Sequence, residues 1–119
     1  MVNVWATYCD PCLSEMPAFA ELTGEYPKEE FQIIGIVSDV KEEGSQDKME
    51  LAEDLIRQTG ADYPHLPVND SLYDAFLGDV SAVPTTFFVD RQGRIADTVI
   101  GAMDKEAWEE KINEFLGED

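Results

Sequence analysis

Val2-Asn3-Val4-Trp5-Ala6-Thr7-Tyr8-Cys9-Asp10-Pro11-Cys12 decides how this chain is read. Val2 to Trp5 is a short apolar run with strand character. Cys9 and Cys12, the only cysteines in the sequence, stand after it with two residues between them. A helical pattern follows. The pair therefore lies where a strand ends and a helix begins, a position suited to a redox-active dithiol. The first turn of a helix offers free N–H groups and the positive end of the dipole, and both stabilise a thiolate. The thiolate is the attacking species in disulfide exchange. A purely structural disulfide here would close a very short loop and constrain the unfolded chain little. A structural zinc site needs about four ligands, and the chain adds only one histidine, His65, to its two cysteines. No metal and no cofactor are expected.

Within the motif the residues take different parts. Cys9, at the helix start, is the expected attacking cysteine. Cys12, one turn further in, is the expected resolving cysteine, which breaks the mixed disulfide and releases product. Asp10 has two readings. Its carboxylate raises the Cys9 pKa and makes the pair a better reductant, or it favours the first helical turn through the dipole. Pro11 fits that first turn, where its missing N–H costs nothing. Glu15 shares the helical face of Cys12. It either accepts the proton of Cys12 or is an ordinary solvated glutamate. Trp5 reads as core, and Tyr8 as a rim aromatic able to contact substrate.

The rest of the chain bounds the function. Its 119 residues, 44% apolar, suit one globular domain. Twenty-six acidic against eight basic residues give a net charge of −18, which argues against nucleic acid and anionic membranes. That charge serves solubility or steers the chain toward a basic protein substrate. No apolar run reaches the ~18 residues that a membrane span needs, and no signal peptide is visible.

Strand and helix signals alternate. A helix is predicted from Cys9 or Asp10 to about Tyr26, with Leu13, Met16, Phe19, Ala20 and Leu22 at helical spacing and a kink at Pro17. Phe31 to Val37 reads as a central strand buried on both faces. A charged loop from Lys41 to Asp47 precedes a helix from Asp47 to Thr59 that Gly60 stops. Tyr63 to Val68 is a short extended piece, and Asp70 is placed to cap a short helix to about Leu77, ended by Gly78. Thr85 to Asp90 and Arg94 to Ile100 form a hairpin around Gly93. Asp104 caps a last helix whose apolar stripe is Trp108, Ile112, Phe115 and Leu116. This order predicts an α/β fold with a mixed sheet and helices on both faces. Right-handed crossovers centre the strand before Cys9, and the chemistry belongs at its C-terminal end. Val83-Pro84 enters a strand, where a proline forfeits a ladder donor and marks a special position.

Together these residues resemble the thioredoxin superfamily, and within it the TlpA/ResA-like thiol-disulfide oxidoreductases. The matching stretches are Val2 to Cys12, Glu15-Met16-Pro17, and Val83-Pro84-Thr85-Thr86-Phe87-Phe88-Val89-Asp90 followed by Gly93. The resemblance covers nearly the whole chain. It implies a thioredoxin-like fold over residues 1–119, with a helix-strand insertion between about Asp47 and Leu77. It further implies that Pro84 is the family's cis-proline facing the cysteines, that Val83 beside it binds substrate, and that Glu15 is an active-site glutamate. Two positions depart from the pattern. Asn3 stands where thioredoxin has a buried aspartate, and Tyr8 where a tryptophan is usual. The family's N-terminal hairpin and preceding signal or anchor are absent from this sequence. The domain is therefore expected to be N-terminally truncated relative to the family, with any membrane anchor in a missing N-terminal segment.

The resemblance implies a protein-disulfide reductase outside the cytoplasm, a monomer with a protein disulfide client and a dithiol electron donor. Two alternatives stay open. A peroxiredoxin-type peroxide reductase shares the fold, and Thr7 lies close to where such an enzyme needs a threonine. A non-enzymatic module could hold Cu(I) on the two thiolates.

Overall fold

The computed structural model describes residues 1–117. Five strands form one mixed sheet in the order β3-β2-β1-β4-β5. They are β1 (Val2–Trp5), β2 (Ile34–Lys41), β3 (His65–Val68), β4 (Thr85–Val89) and β5 (Ile95–Ile100). The helices are α1 (Asp10–Thr23), α2 (Gln46–Thr59), α3 (Asp70–Ala75) and α4 (Lys105–Phe115).

β1 is the middle strand. It pairs in parallel with β2, Val2 opposite Ile34 through Trp5 opposite Val37, and antiparallel with β4, Val2 opposite Phe87. Alternation along β1 sends Trp5 to one face and Val4 to the other. On the Trp5 face, α1, α2 and α4 cover a core built from Cys12, Met16, Phe19, Leu22, Phe88, Trp108 and Ile112. On the Val4 face, Ile36 and Phe87 are packed by Leu72 and Phe76 of the α3 region and by Leu77. Helices thus lie on both faces, as the alternation of signals requires.

Several boundaries differ from the sequence reading. α1 ends at Thr23, not Tyr26, because Gly24 caps it. It runs on through Pro17, which forgoes one backbone bond to the preceding turn. β2 begins three residues later than Phe31 and extends to Lys41. Its polar Ser38-Asp39 does not end it, because Lys41 still pairs with Val68 of β3. α2 begins one residue earlier, at Gln46, and ends at Thr59 as expected, capped by Gly60, whose φ of 73° suits a glycine. The cap of α3 is Asn69, whose side chain accepts the Leu72 N–H at 2.8 Å, so Asp70 is the first helical residue. α3 stops at Ala75 and a 3₁₀ turn, Leu77–Asp79, follows. Asp104 caps α4 through the Ala107 N–H. The expected helix-strand segment between Asp47 and Leu77 contains the body of α2 and all of β3, and β3 forms one edge of the sheet.

Candidate active site

The C-terminal end of β1 delivers the chain into α1 through Ala6-Thr7-Tyr8. Asp39, near the end of the neighbouring β2, fixes this turn. Its carboxylate accepts the Thr7 backbone N–H at 3.1 Å and also the Thr7 hydroxyl. Ser38 Oγ donates to the Trp5 carbonyl at 2.9 Å. The turn before the cysteines closes on itself, with the Cys9 N–H donating to the Ala6 carbonyl at 3.1 Å, and the adjacent strand ties it down further.

Cys9 is the N-cap of α1, with extended backbone, and its Sγ accepts the Cys12 N–H at 3.2 Å. Cys9 and Cys12 form a disulfide with their Cα atoms 5.3 Å apart. Cys9 retains 6% exposure and Cys12 none, in line with an outer and an inner sulfur. Asp10 and Pro11 are exposed in the first turn, and Tyr8 is 73% exposed. A groove of about 280 Å³ is lined by Tyr8, Ser38, Tyr73, Leu77, Val80 and Val83, so Tyr8 and Val83 meet at one surface. The Val83–Pro84 peptide bond is cis. Pro84 is buried, its carbonyl accepts the Gly101 N–H at 2.8 Å, and Val83 packs on the core that contains both cysteines. A larger depression, about 960 Å³, is lined by Asp39 and residues 41–49 and contains neither cysteine.

Glu15 is no solvated glutamate. It is 4% exposed, and its Oε2 accepts the Trp108 indole N–H at 3.0 Å and the Met103 backbone N–H at 3.1 Å. Burial pushes its pKa up from 4.5 to about 7, against the pull of the Met103, Trp108 and Asn3 groups. Burial of an anion outweighs three donors here. Asn3 is fully buried, and its Nδ2 donates to Thr86 Oγ1 at 3.0 Å.

His65 packs edge-on against Trp5, with ring centroids 5.5 Å apart. The Trp5 indole N–H donates to His65 Nδ1 at 3.1 Å, and His65 Nε2 bonds the Ala61 carbonyl at 2.9 Å. Accepting from Trp5 leaves Nδ1 without a proton, and the Ala61 carbonyl takes the Nε2–H, so the ring is the neutral Nε2-protonated tautomer. Burial lowers its pKa, with the Ala61 carbonyl opposing. Among the described residues no group of three or more His, Cys, Asp or Glu is placed to hold a metal ion.

The sequence marks Trp108 as helix core and Tyr63 and Thr86 as extended residues, and it assigns Asp39 no part. One signal for Glu15 was present. At 100° per residue it falls inside the arc of Cys12, Met16, Phe19 and Leu22, the buried stripe of α1.

The profile of the AhpC/TSA family matches residues 1–98. The chain belongs to the AhpC/TSA family. Thiol-disulfide oxidoreductase ResA from Oceanobacillus iheyensis is 31% identical over 116 residues, 97% of this chain and 56% of that protein. Thioredoxin-like protein YneN from Bacillus subtilis is 30% identical over 113 residues, 95% of this chain and 62% of that protein. The chain thus spans a little over half the length of these curated relatives. A thiol:disulfide interchange protein of the thioredoxin family from Chlorobium tepidum superposes with a TM-score of 0.82 at 24% identity, covering 98% of this chain and 78% of the other. StoA from Bacillus subtilis gives 0.71 at 24%, covering 92% and 78%. The fold of this AhpC/TSA member is thioredoxin-like. No helix among its described residues is long and apolar enough to cross a membrane.

Proposed function

We propose that this chain is a thiol-disulfide oxidoreductase that reduces protein disulfides through Cys9 and Cys12. The observation that carries the reading is the Cys12 N–H directed at Cys9 Sγ, 3.2 Å away, at the start of α1. That donor and the helix dipole favour a Cys9 thiolate.

In the reduced protein the Cys9 thiolate attacks one sulfur of a client disulfide. The client S–S bond breaks, a Cys9–client disulfide forms, and the other client sulfur leaves as a thiolate that takes up a proton. Cys12 then gives its proton to Glu15 and attacks Cys9 Sγ. The mixed disulfide breaks, the Cys9–Cys12 bond forms, and the second client sulfur leaves and is protonated. Two electrons pass to the client, and a dithiol donor restores the reduced pair by the reverse sequence. Glu15 suits the proton step because its pKa lies near 7.

Tyr8 and Val83, at one groove, contact the client. The Val83 backbone beside Pro84 pairs with a client strand and supplies main-chain hydrogen bonds. Asp10 sets the reducing power by repelling the thiolate, and Pro11 shapes the first turn. Likeness to ResA supports the reductant reading; we further propose that the chain works outside the cytoplasm, as a monomer. The peroxide reading is weaker, because the Thr7 hydroxyl is engaged by Asp39.

Turnover of a protein disulfide with dithiothreitol as donor tests the proposal. The Cys12→Ser protein accumulates a Cys9–client disulfide, and the Cys9→Ser protein accumulates none. Equal trapping by both variants, or consumption of peroxide in preference to protein disulfide, overturns it.

A further inference from the structure

Three buried side-chain oxygens, Glu15 Oε1, Asn3 Oδ1 and the Tyr63 hydroxyl, have no hydrogen-bond partner among the described residues. A fourth, Thr23 Oγ1, lies two turns further along α1, about 12 Å away at 1.5 Å per residue. The first three belong together. Asn3 is one of the groups that favour the ionised form of Glu15. The Tyr63 phenol is pushed up first by burial and then by the Glu15 charge. Phe19, one helical turn after Glu15, packs against both Tyr63 and Trp108, with ring centroids 6.5 and 5.3 Å apart. Both rings therefore stand on the helical face from which Glu15 projects.

An unpaired buried polar atom is costly, and an unpaired carboxylate oxygen with two such neighbours calls for a common solution. Their chemistry limits what it can be. A carboxylate oxygen and an amide oxygen both accept, so they cannot pair with each other. The Tyr63 hydroxyl has one proton and satisfies only one of them. A water molecule has two protons to give and lone pairs to receive. One water that accepts from Tyr63 and donates to Glu15 Oε1 and Asn3 Oδ1 satisfies all three.

We propose that Tyr63 and Asn3 are positioning residues for Glu15, holding its Oε1 through a single ordered water molecule buried between the three side chains. Trp108 and Met103 fix Oε2 directly, and the water fixes the other oxygen. The same water donates to Oε1 when Glu15 is ionised and accepts from it when Glu15 is protonated. A proton can then come and go without stranding a buried group. Tyr63 lies in the segment leading into β3, so the inserted segment completes the environment of Glu15. The water site is a property of the fold, while its use in exchange rests on the function proposed above.

Tyr63→Phe removes the hydroxyl and keeps the ring, and Asn3→Leu removes the amide. In the oxidised wild-type protein, water–protein NOEs are expected from a long-lived water to the Tyr63 ring and the Asn3 amide. In Tyr63→Phe that water is lost, and the Glu15 titration, followed by carboxyl ¹³C shifts, moves up by about half a pH unit or more because the anion loses a donor. Asn3→Leu moves it in the same direction. Retained water with an unmoved titration in Tyr63→Phe overturns the proposal. So does a structure in which Tyr63 donates directly to Glu15 with no water between them. Protein-disulfide reduction by the wild type is measured in parallel. Its absence, with the water and the titration shift present, sinks the oxidoreductase reading and leaves the water site standing. Its presence with an unmoved titration does the reverse.

Discussion

The Trp108 indole N–H donates to Glu15 Oε2 at 3.0 Å, joining the helix that carries the cysteines to the last helix across 93 residues of sequence. This bond ties the packing of α4 to the charge of a buried group three residues after Cys12 on α1. It also explains how a glutamate comes to lie in the buried stripe of α1, since a buried carboxyl needs donors.

Glu15 makes stability depend on pH in a calculable direction. Its pKa is raised from 4.5 to about 7 in the folded protein. Between those values the folded state holds a proton that the unfolded state has released, so stability falls as pH rises. The favourable contribution is complete below about pH 4.5 and gone above about pH 7. At about 1.4 kcal/mol per pH unit the span is at most roughly 3–4 kcal/mol. Glu15→Gln removes this slope. Denaturant unfolding of both oxidised proteins from pH 4 to 8 is expected to show the variant gaining on the wild type as pH rises. A constant difference between the two across that range would contradict the buried, raised carboxyl.

Trp108→Phe keeps an aromatic ring in the core and deletes one donor to Glu15. The carboxylate then loses a charge-assisted bond, so the Glu15 midpoint rises above about 7 and the protein loses roughly 1–3 kcal/mol at pH 8. At pH 5, where Glu15 is protonated in both proteins, the loss is smaller. Equal losses at the two pH values would mean that Trp108 matters only as packing.

The sequence carried the local part of this arrangement and little of the rest. Cys9 and Cys12 were legible because their spacing and the strand-to-helix change are both local. The central place of β1 followed from chain order and crossover handedness. The end of β2 was misread because pairing with β3 at Lys41 is a contact between distant segments, and Ser38-Asp39 looks like a strand end. The use of that aspartate was equally hidden, since nothing local says that it will grip Thr7. Trp108 advertised burial through its helical stripe. That its N–H would point at Glu15 depends on how α4 docks against α1, which periodicity does not encode.

Gly35 is required by a close approach. A Cβ there would overlap His65 Nδ1 and meet Trp5 Nε1 at 3.1 Å, the two atoms that bond each other. Gly35→Ala is expected to separate Trp5 from His65 and to destabilise the protein by about 1–3 kcal/mol, as overpacking does. His65→Ala makes room for the methyl group. In a double-mutant cycle the glycine substitution should cost much less in the His65→Ala background. The Trp5 indole proton, followed by NMR, should shift in each single variant. Additive stability losses would rule out the overlap as the cause.

Asp39→Ala deletes the acceptor of both the Thr7 N–H and the Thr7 hydroxyl. The turn carrying Tyr8 and Cys9 then loses its tie to β2. The expected loss of stability is about 1–3 kcal/mol. Under the proposed function, client reduction slows more than the reaction of Cys9 with a small alkylating agent, because only a client needs Tyr8 held in place. Equal slowing of both reactions would show that Asp39 acts on the thiol itself.

Asp10 is exposed and follows Cys9 directly, where its negative charge opposes the effect of the helix dipole on a Cys9 thiolate. Asp10→Asn removes the repulsion and leaves a residue of similar shape. The thiolate is then better stabilised, the Cys9 pKa falls, and the reduced form gains relative to the disulfide. The variant should therefore have a less negative reduction potential and be a poorer reductant, measured by equilibration with glutathione. The shift should shrink as salt is raised, because an exposed charge is screened by mobile ions. A potential that stays put at low salt would leave Asp10 with its other role alone, that of an acidic residue favouring the first turn of α1.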